Sequence, residues 1–450
     1  VQDAGTYPGE LANADVAYFD QDSGNCTLDL SPANPLGGIY CNYGYGYLGD
    51  FDFGSYTLDV DGVCIVGSRG GSLTASAGAE IECSGLFIKF WALAGGGSDF
   101  PSNLTVTLNG TGLVYCYGNT GADLVIDAAG THTADDSAYW DSFLLSNVGS
   151  TYVDGGYTHT IAGSIVASNG ALTSTGKWIM TGDGNLAANS VSLPVRLFHE
   201  LEIAAGVSAN LSLGTYFKKA TVNATASLTM DPAASFYCYL PTANNFLDMA
   251  GTIDQTAGTG VLTIVYLDTG GASNTGKIAG DVFRLIADND DALTETGTIS
   301  ANTTQIYGVS DNNAAKLVIE ASGSALGEVS LGTASGTDRH GLLDLGSGAY
   351  TVSMTSLANA VTTTDPPTNE LDFGDAFITL SGTMNGQYIT CSGNAVSTVG
   401  ATVEGGTIQN VDVSGYAHID ARGIYGSQPV DGGGNDNVRF ARGLVGGGVL

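Results

Sequence analysis

The stretch Gly406-Thr-Ile-Gln-Asn-Val-Asp-Val-Ser-Gly-Tyr-Ala-His-Ile-Asp420 decides how this chain is read. Apolar side chains stand at Ile408, Val411, Val413 and Ile419, and Gly, Asn or Ser falls between them. No apolar run is long enough to make one face of a helix. Short apolar groups punctuated by turn formers describe short strands joined by tight turns. The same texture fills nearly the whole sequence. It predicts an all-β fold, an elongated β-solenoid of short strands with Gly/Asn turns, preceded by an irregular N-terminal segment. Repetition has a physical reason: one coil cannot bury its own inner face, so coils stack and the ends need caps.

Composition agrees with that architecture. Of 450 residues 66 are Gly and 10 are Pro, and charged residues make up 13%, about half the usual share. Hydrophobic residues are 43% and evenly spread, so a long core can be buried and disorder is not implied. Lys plus Arg number 13 against 45 Asp plus Glu, a formal net charge of −32. Such a chain repels nucleic acid and anionic membrane surfaces. It also repels its own copies unless salt or cations screen it. Acidity serves equally well to keep a Gly-rich β protein soluble. No apolar run approaches the roughly 18–20 residues of a membrane span. The chain opens at Val1 rather than Met, which points either to a removed leader or to further sequence upstream.

Six segments follow from the rhythm. Residues 1–50 form an N-terminal attachment or capping segment, and 51–130 a first solenoid part. Residues 131–170, with Asp135-Asp136 and Tyr139-Trp140, interrupt the pattern and predict a junction or protruding loop. A central β-rich part covers 171–335, a C-terminal solenoid 336–425, and a Gly-rich tail 426–450. Within the C-terminal part, Ile378-Thr-Leu-Ser-Gly and Ile389-Thr-Cys-Ser-Gly recur at 11 residues, a spacing suited to one side of a coil. The seven Cys include 41, 64 and 83 at near-coil intervals, which predicts stacked buried thiols or disulfides.

Two phrases carry a resemblance. Phe198-His-Glu-Leu-Glu-Ile-Ala-Ala-Gly-Val207 resembles the coils of large bacterial and phage β-solenoid proteins. The ending Asp431-Gly-Gly-Gly-Asn-Asp-Asn-Val-Arg-Phe440, after Gly405-Gly-Thr-Ile-Gln-Asn-Val-Asp412, resembles structural proteins of environmental tailed phages. That resemblance is strongest over about residues 340–440. It implies a virion-surface role, as head fibre, decoration protein or tail fibre, and no catalytic residues. Its partners would be further copies of the chain, as a trimer, and capsid or tail proteins.

Residue chemistry is sparse. The five His (132, 159, 199, 340 and 418) are scattered and no Gly-x-Ser-x-Gly accompanies them, so a nucleophilic triad is not expected. A polysaccharide-cleaving spike would need paired carboxylates, and Asp344, Asp372 and Asp375 are the candidates for one solenoid face. The chain is expected not to be an enzyme. No cofactor is expected except calcium, for which hard oxygens cluster at Asp288, Asp290 and Asp291 and at Asp431 and Asp436; ordinary Gly/Asn turns are the competing reading. Tyr43, Tyr45 and Tyr47 fall on one strand face, with Tyr40 out of phase, and the four make an aromatic segment suited to subunit contact or cell-surface glycans, or to capping the core. Virion-surface or extracellular localisation follows from these readings. A secreted adhesin or self-assembling filament subunit is the alternative.

Overall fold

A computed structural model describes residues 16–440, apart from one- and two-residue positions in turns and the stretches 42–46, 84–86, 93–100, 118–120, 189–195, 242–245, 256–261, 268–270, 288–290, 310–313, 333–339, 360–370, 386–388, 391–401, 410–412, 415–418, 422–429 and 434–437. All regular elements among these residues are strands, and they pair in parallel, coil upon coil, as a β-solenoid. The chain divides into two compact units, one of residues 1–217 and 222–231 and one of 218–221 and 232–450. This boundary falls inside the segment 171–335 that the sequence rhythm had grouped as one part.

In the middle of the first unit a coil has three strands, whereas Thr57–Ser68 and Arg196–Ile203 each cover two sides of a coil as one strand. Asp123–Ile126, Gly130–Ala134 and Ala138–Trp140 start a coil, and Phe143–Leu145, Ser150–Val153 and Thr158–Ile161 lie beneath them. Register links Leu124 to Phe143, Phe143 to Ile165 and Ile165 to Leu186. Successive coils are therefore 19, 22 and 21 residues long at this face. Burial alternates along the strands, as in Lys177–Met180, where Trp178 and Met180 are buried and their neighbours half-buried. Parallel sheets are usually covered on both faces. Here one face lines the solenoid core and the other meets solvent, so the period-2 alternation survives. Buried side chains stack in columns: Ala138, His159, Trp178 and Leu201 follow one another in register, as do Trp140, Ile161, Met180 and Ile203.

Residues 131–170 are therefore regular coils, not a junction or protruding loop. The sequence looks irregular there because large groups fill the core. Trp140, Tyr152 and His159 are each 1% exposed, and Tyr152 and His159 rings approach the Trp178 ring at 6.0 and 4.7 Å. Of the N-terminal segment, Val16–Phe19 already pairs in parallel with Leu36–Cys41, which pairs in turn with Thr57–Ser68. Cys64 and Cys83 are buried thiols, as is Cys238. The 11-residue recurrence does separate two sides of a coil: Ile378 pairs with Val403, whereas Ile389 pairs with Val413 in another sheet.

One buried charge holds two coils together. Asp154 is fully buried and opens the turn Asp154-Gly155-Gly156-Tyr157, closed by the Tyr157 amide donating to the Asp154 carbonyl at 3.1 Å. Both glycines have positive φ, 66° and 83°, which side chains rarely adopt. The carboxylate accepts from Gly156 N at 3.0 Å in its own turn. From the next coil it accepts Ser174 Oγ at 2.5 Å, Thr175 N at 2.9 Å, Gly176 N at 3.1 Å and Trp178 Nε1 at 3.1 Å. Burial pushes its pKa up, but the donors from Ser174, Thr175, Gly156 and Trp178 outweigh it and hold it below the ordinary carboxylate value. His159, beneath the same turn, has its pKa lowered by burial, partly opposed by the Asp154 charge. It is a neutral core residue.

Candidate functional site

In the second unit the coils change shape. Lys277–Ala287 and Thr298–Gly308 are 11-residue strands that run through a corner. They pair from Lys277↔Thr298 to Gly280↔Ala301, then from Val282↔Thr303 to Ala287↔Gly308. Around Gly280 and Asp281 the inside–outside alternation breaks, with four successive half-buried residues from Ala279 to Val282. The corner leaves an open groove of about 630 Å³ on the outer side. Gly251, Ala279, Gly280, Ala301 and Ala325 give it small side chains, and Thr252, Lys277, Asp281, Ser300 and Asn302 supply its polar groups. The Asn302 amide donates to Asp281 Oδ1.

Past the corner the same two strands carry an aromatic strip. Ser235–Tyr239 and Leu262–Leu267 stack before them, so Tyr239, Tyr266, Ile286 and Tyr307 fall in one outward column. Tyr237, Ile264, Arg284 and Gln305 fall in the neighbouring one. The Tyr239 and Tyr266 rings are stacked at 5.1 Å and 18°. Arg284 is tied down: its Nε donates to Gln305 Oε1 at 2.9 Å, and its guanidinium carbon lies 5.8 Å from the Tyr307 ring centroid. Stacked rings cover one another's faces, so a ligand meets ring edges and phenolic hydroxyls, apolar body with polar tip.

A buried column supports the start of both strands. Asn274 and Glu295 are fully buried and in register. Asn274 Oδ1 accepts from Leu247 N at 3.1 Å, and its Nδ2 donates to Glu295 Oε2 at 2.9 Å. Glu295 Oε1 accepts from Gly297 N at 2.7 Å. Burial pushes the Glu295 pKa up to about 8 despite the Asn274 and Gly297 donors, so at neutral pH it is mostly protonated. Gly276 and Gly297 stack so closely that a Cβ on Gly297 would sit 2.0 Å from the Gly276 carbonyl.

The residues singled out in the sequence are placed differently. Tyr47 is buried, with its hydroxyl donating to Asp50 O at 2.7 Å, and burial raises its pKa to about 12. It is a core residue, because its ring packs on Phe19 at 5.4 Å, and it is not a contact surface. Tyr40 is half-buried and stacks on the exposed Tyr18 at 5.0 Å. Tyr43 and Tyr45 lie outside the described residues. Of the calcium candidates, Asp291 is buried at 8% exposure and Asp431 is exposed on Val430–Gly433. Asp288, Asp290 and Asp436 lie outside the described residues. Among the described residues no three His, Cys, Asp or Glu side chains group as a metal site. Asp344 and Asp372 do meet, directly opposite on neighbouring parallel strands, and Lys316 Nζ reaches Asp344 Oδ2 at 2.7 Å. Asp375 lies outside the described residues.

The groove and the Tyr239–Tyr307 strip were not found from sequence. Their signal is weak because Tyr239 to Tyr266 spans 27 residues, Tyr266 to Ile286 spans 20 and Ile286 to Tyr307 spans 21. No fixed period would align them. No known protein-family model, curated protein or solved structure matches this chain.

Proposed function

We propose that this chain is a non-enzymatic structural protein displayed on a virion surface, as a head fibre, decoration protein or tail fibre, mediating surface attachment or particle stabilisation. The observation that carries the reading is the coil stack itself. Short polar turns and parallel ladders build a scaffold whose buried carboxyl groups, Asp154 and Glu295, are engaged in cross-coil hydrogen bonds, while one side offers a groove and an aromatic strip. The resemblance of the C-terminal phrase to tailed-phage structural proteins supports the same reading, with a homotrimer as the assembly. Electron microscopy of the particles carrying this chain, with labelled antibody and native mass measurement, tests it. Label on capsids or tails and a discrete trimer mass agree with it. Open filaments built only of this chain would sink it and favour the secreted filament or adhesin reading.

A second reading, the polysaccharide-cleaving spike, draws on one observation. Asp344 and Asp372 are one inter-strand step apart, about 4.8 Å between backbones, close to the roughly 5–5.5 Å between carboxyls of retaining glycosidases. Release of oligosaccharides from envelope polysaccharide, abolished by Asp344→Asn, would establish it.

A further inference from the structure

The chain has few cations, 13 Lys and Arg among 450 residues, and where they go is informative. Lys177 lies 2.6 Å from Glu202, and Lys316 lies 2.7 Å from Asp344. Lys277 and Arg284 differ: among the described residues neither has a carboxylate within ion-pair distance. Both stand on the outer side of Lys277–Ala287, one lining the groove and one in the tyrosine strip. With Asp281 also lining the groove and Asp248 Oδ1 accepting from Lys277 N at 3.4 Å, the outer side of this strand is close to neutral in a molecule of net charge −32, leaving Arg284 as the charge that a ligand anion can meet.

We infer that the groove and strip across residues 235–308 bind an acidic polysaccharide, one carrying carboxylate or sulfate groups at intervals along a neutral hydroxylated chain. This deepens the surface-attachment reading by naming what is bound. Arg284 supplies the anchor. Its Nε is used by Gln305 and its plane is steadied near Tyr307, which directs the remaining guanidinium donors as a fork to an oxyanion. Lys277 supplies a second, more mobile charge. Seven residues separate them, at most roughly 23 Å at about 3.3 Å per strand residue and less around the corner. That sparse spacing suits one anion per few sugars. A nucleic acid presents a charge at every nucleotide and would be repelled by the rest of the protein. Between the cations, Ser300, Asn302 and Asp281 offer partners for sugar hydroxyls, and the small side chains of the groove admit a chain close to the backbone. The Tyr239 and Tyr266 pair adds a rim of hydroxyls over apolar surface.

The test uses the full chain in affinity electrophoresis and calorimetry, with gellan and xanthan, whose carboxylates recur once every few sugars, and neutral dextran as probes. Expected is binding of at least one acidic polymer, weakening as salt rises, with no binding of dextran. Arg284→Gln should weaken it about tenfold to a hundredfold, the range for losing a charged hydrogen bond. Lys277→Gln should weaken it less, and Arg284→Lys should retain part of the affinity. Thermal melts check that the variants fold as the parent does. Equal binding of dextran, unchanged affinity in Arg284→Gln and Lys277→Gln, or no binding of either acidic polymer at low salt overturns the inference. So does self-association that Arg284→Gln abolishes, which would make a second copy the occupant. Particle microscopy reads the virion role independently: label on virions without polymer binding sinks this inference alone.

Discussion

Replacing Asp154 tests whether a single carboxylate couples neighbouring coils. In the wild type, six groups donate to it: the amides of Gly156, Thr175 and Gly176, the hydroxyls of Ser174 and, at 3.5 Å, Thr175, and the Trp178 indole. In Asp154→Asn the amide oxygen can keep the backbone donors. Its nitrogen then faces Ser174, which can turn to accept, and Trp178 Nε1, which can only donate. An orphaned buried donor costs roughly 1–3 kcal/mol, and the remaining bonds lose their charge, so about 3 kcal/mol is expected in all. Asp154→Ala orphans the whole set and should cost about 4–5 kcal/mol, at the extreme of single substitutions. Trp178→Phe removes the indole donor, so Asp154→Asn should cost about 1–2 kcal/mol less in that background. Stacked coils need not unfold in one step, so urea unfolding should be paired with hydrogen exchange at the Thr175 and Gly176 amides. The reasoning fails if Asp154→Ala shifts stability by less than about 0.5 kcal/mol, as a surface change does, or if those two amides keep their protection.

Three further outcomes are expected. Gly182→Ala should destabilise by about 3 kcal/mol or more in urea unfolding, because its Cβ would lie 1.6 Å from the Ala162 carbonyl oxygen and the backbone would have to move. Thr225 holds φ at 69° in an exposed turn where the preceding coil has Gly206 at 80°; relief of about 1–2 kcal/mol of left-handed strain, less the entropy glycine loses, makes Thr225→Gly stabilising by about 0.5–1 kcal/mol, read as a raised melting temperature. Two opposing pH slopes are expected: below pH 6.5 the depressed His159 and His132 bind protons more weakly folded than unfolded, a destabilising contribution in acid, and Asp154 adds to that loss once the pH falls through its lowered value. Above it Glu295, raised from 4.5 to about 8, loses the protonated form that folding favours; from pH 6.5 to 8 this is on the order of 2 kcal/mol, and Glu295→Met should abolish that alkaline slope.

The sequence by itself determined the class of structure. Alternation such as Lys177-Trp-Ile-Met180 or Ser227-Leu-Thr-Met230 states which side chains point inward, and Asp154-Gly-Gly or Ala205-Gly206 states where the chain can turn, because both signals act over two to four residues. The scarcity of charge stated that faces would be stacked and polar rather than ionic. What the tertiary structure decided is everything that depends on which coil lies on which. Turn lengths vary, so the distance from one coil to the next cannot be counted from a period. Only the pairing puts Tyr239 on Tyr266, Asp344 opposite Asp372 and Asn274 on Glu295. For the same reason the large residues of 131–170 read as an interruption, although stacking makes Trp140, Tyr152 and His159 the centre of the core. Local preference is written in neighbours along the chain; register between parallel strands is set by contacts some twenty residues apart, and the candidate site is made of register.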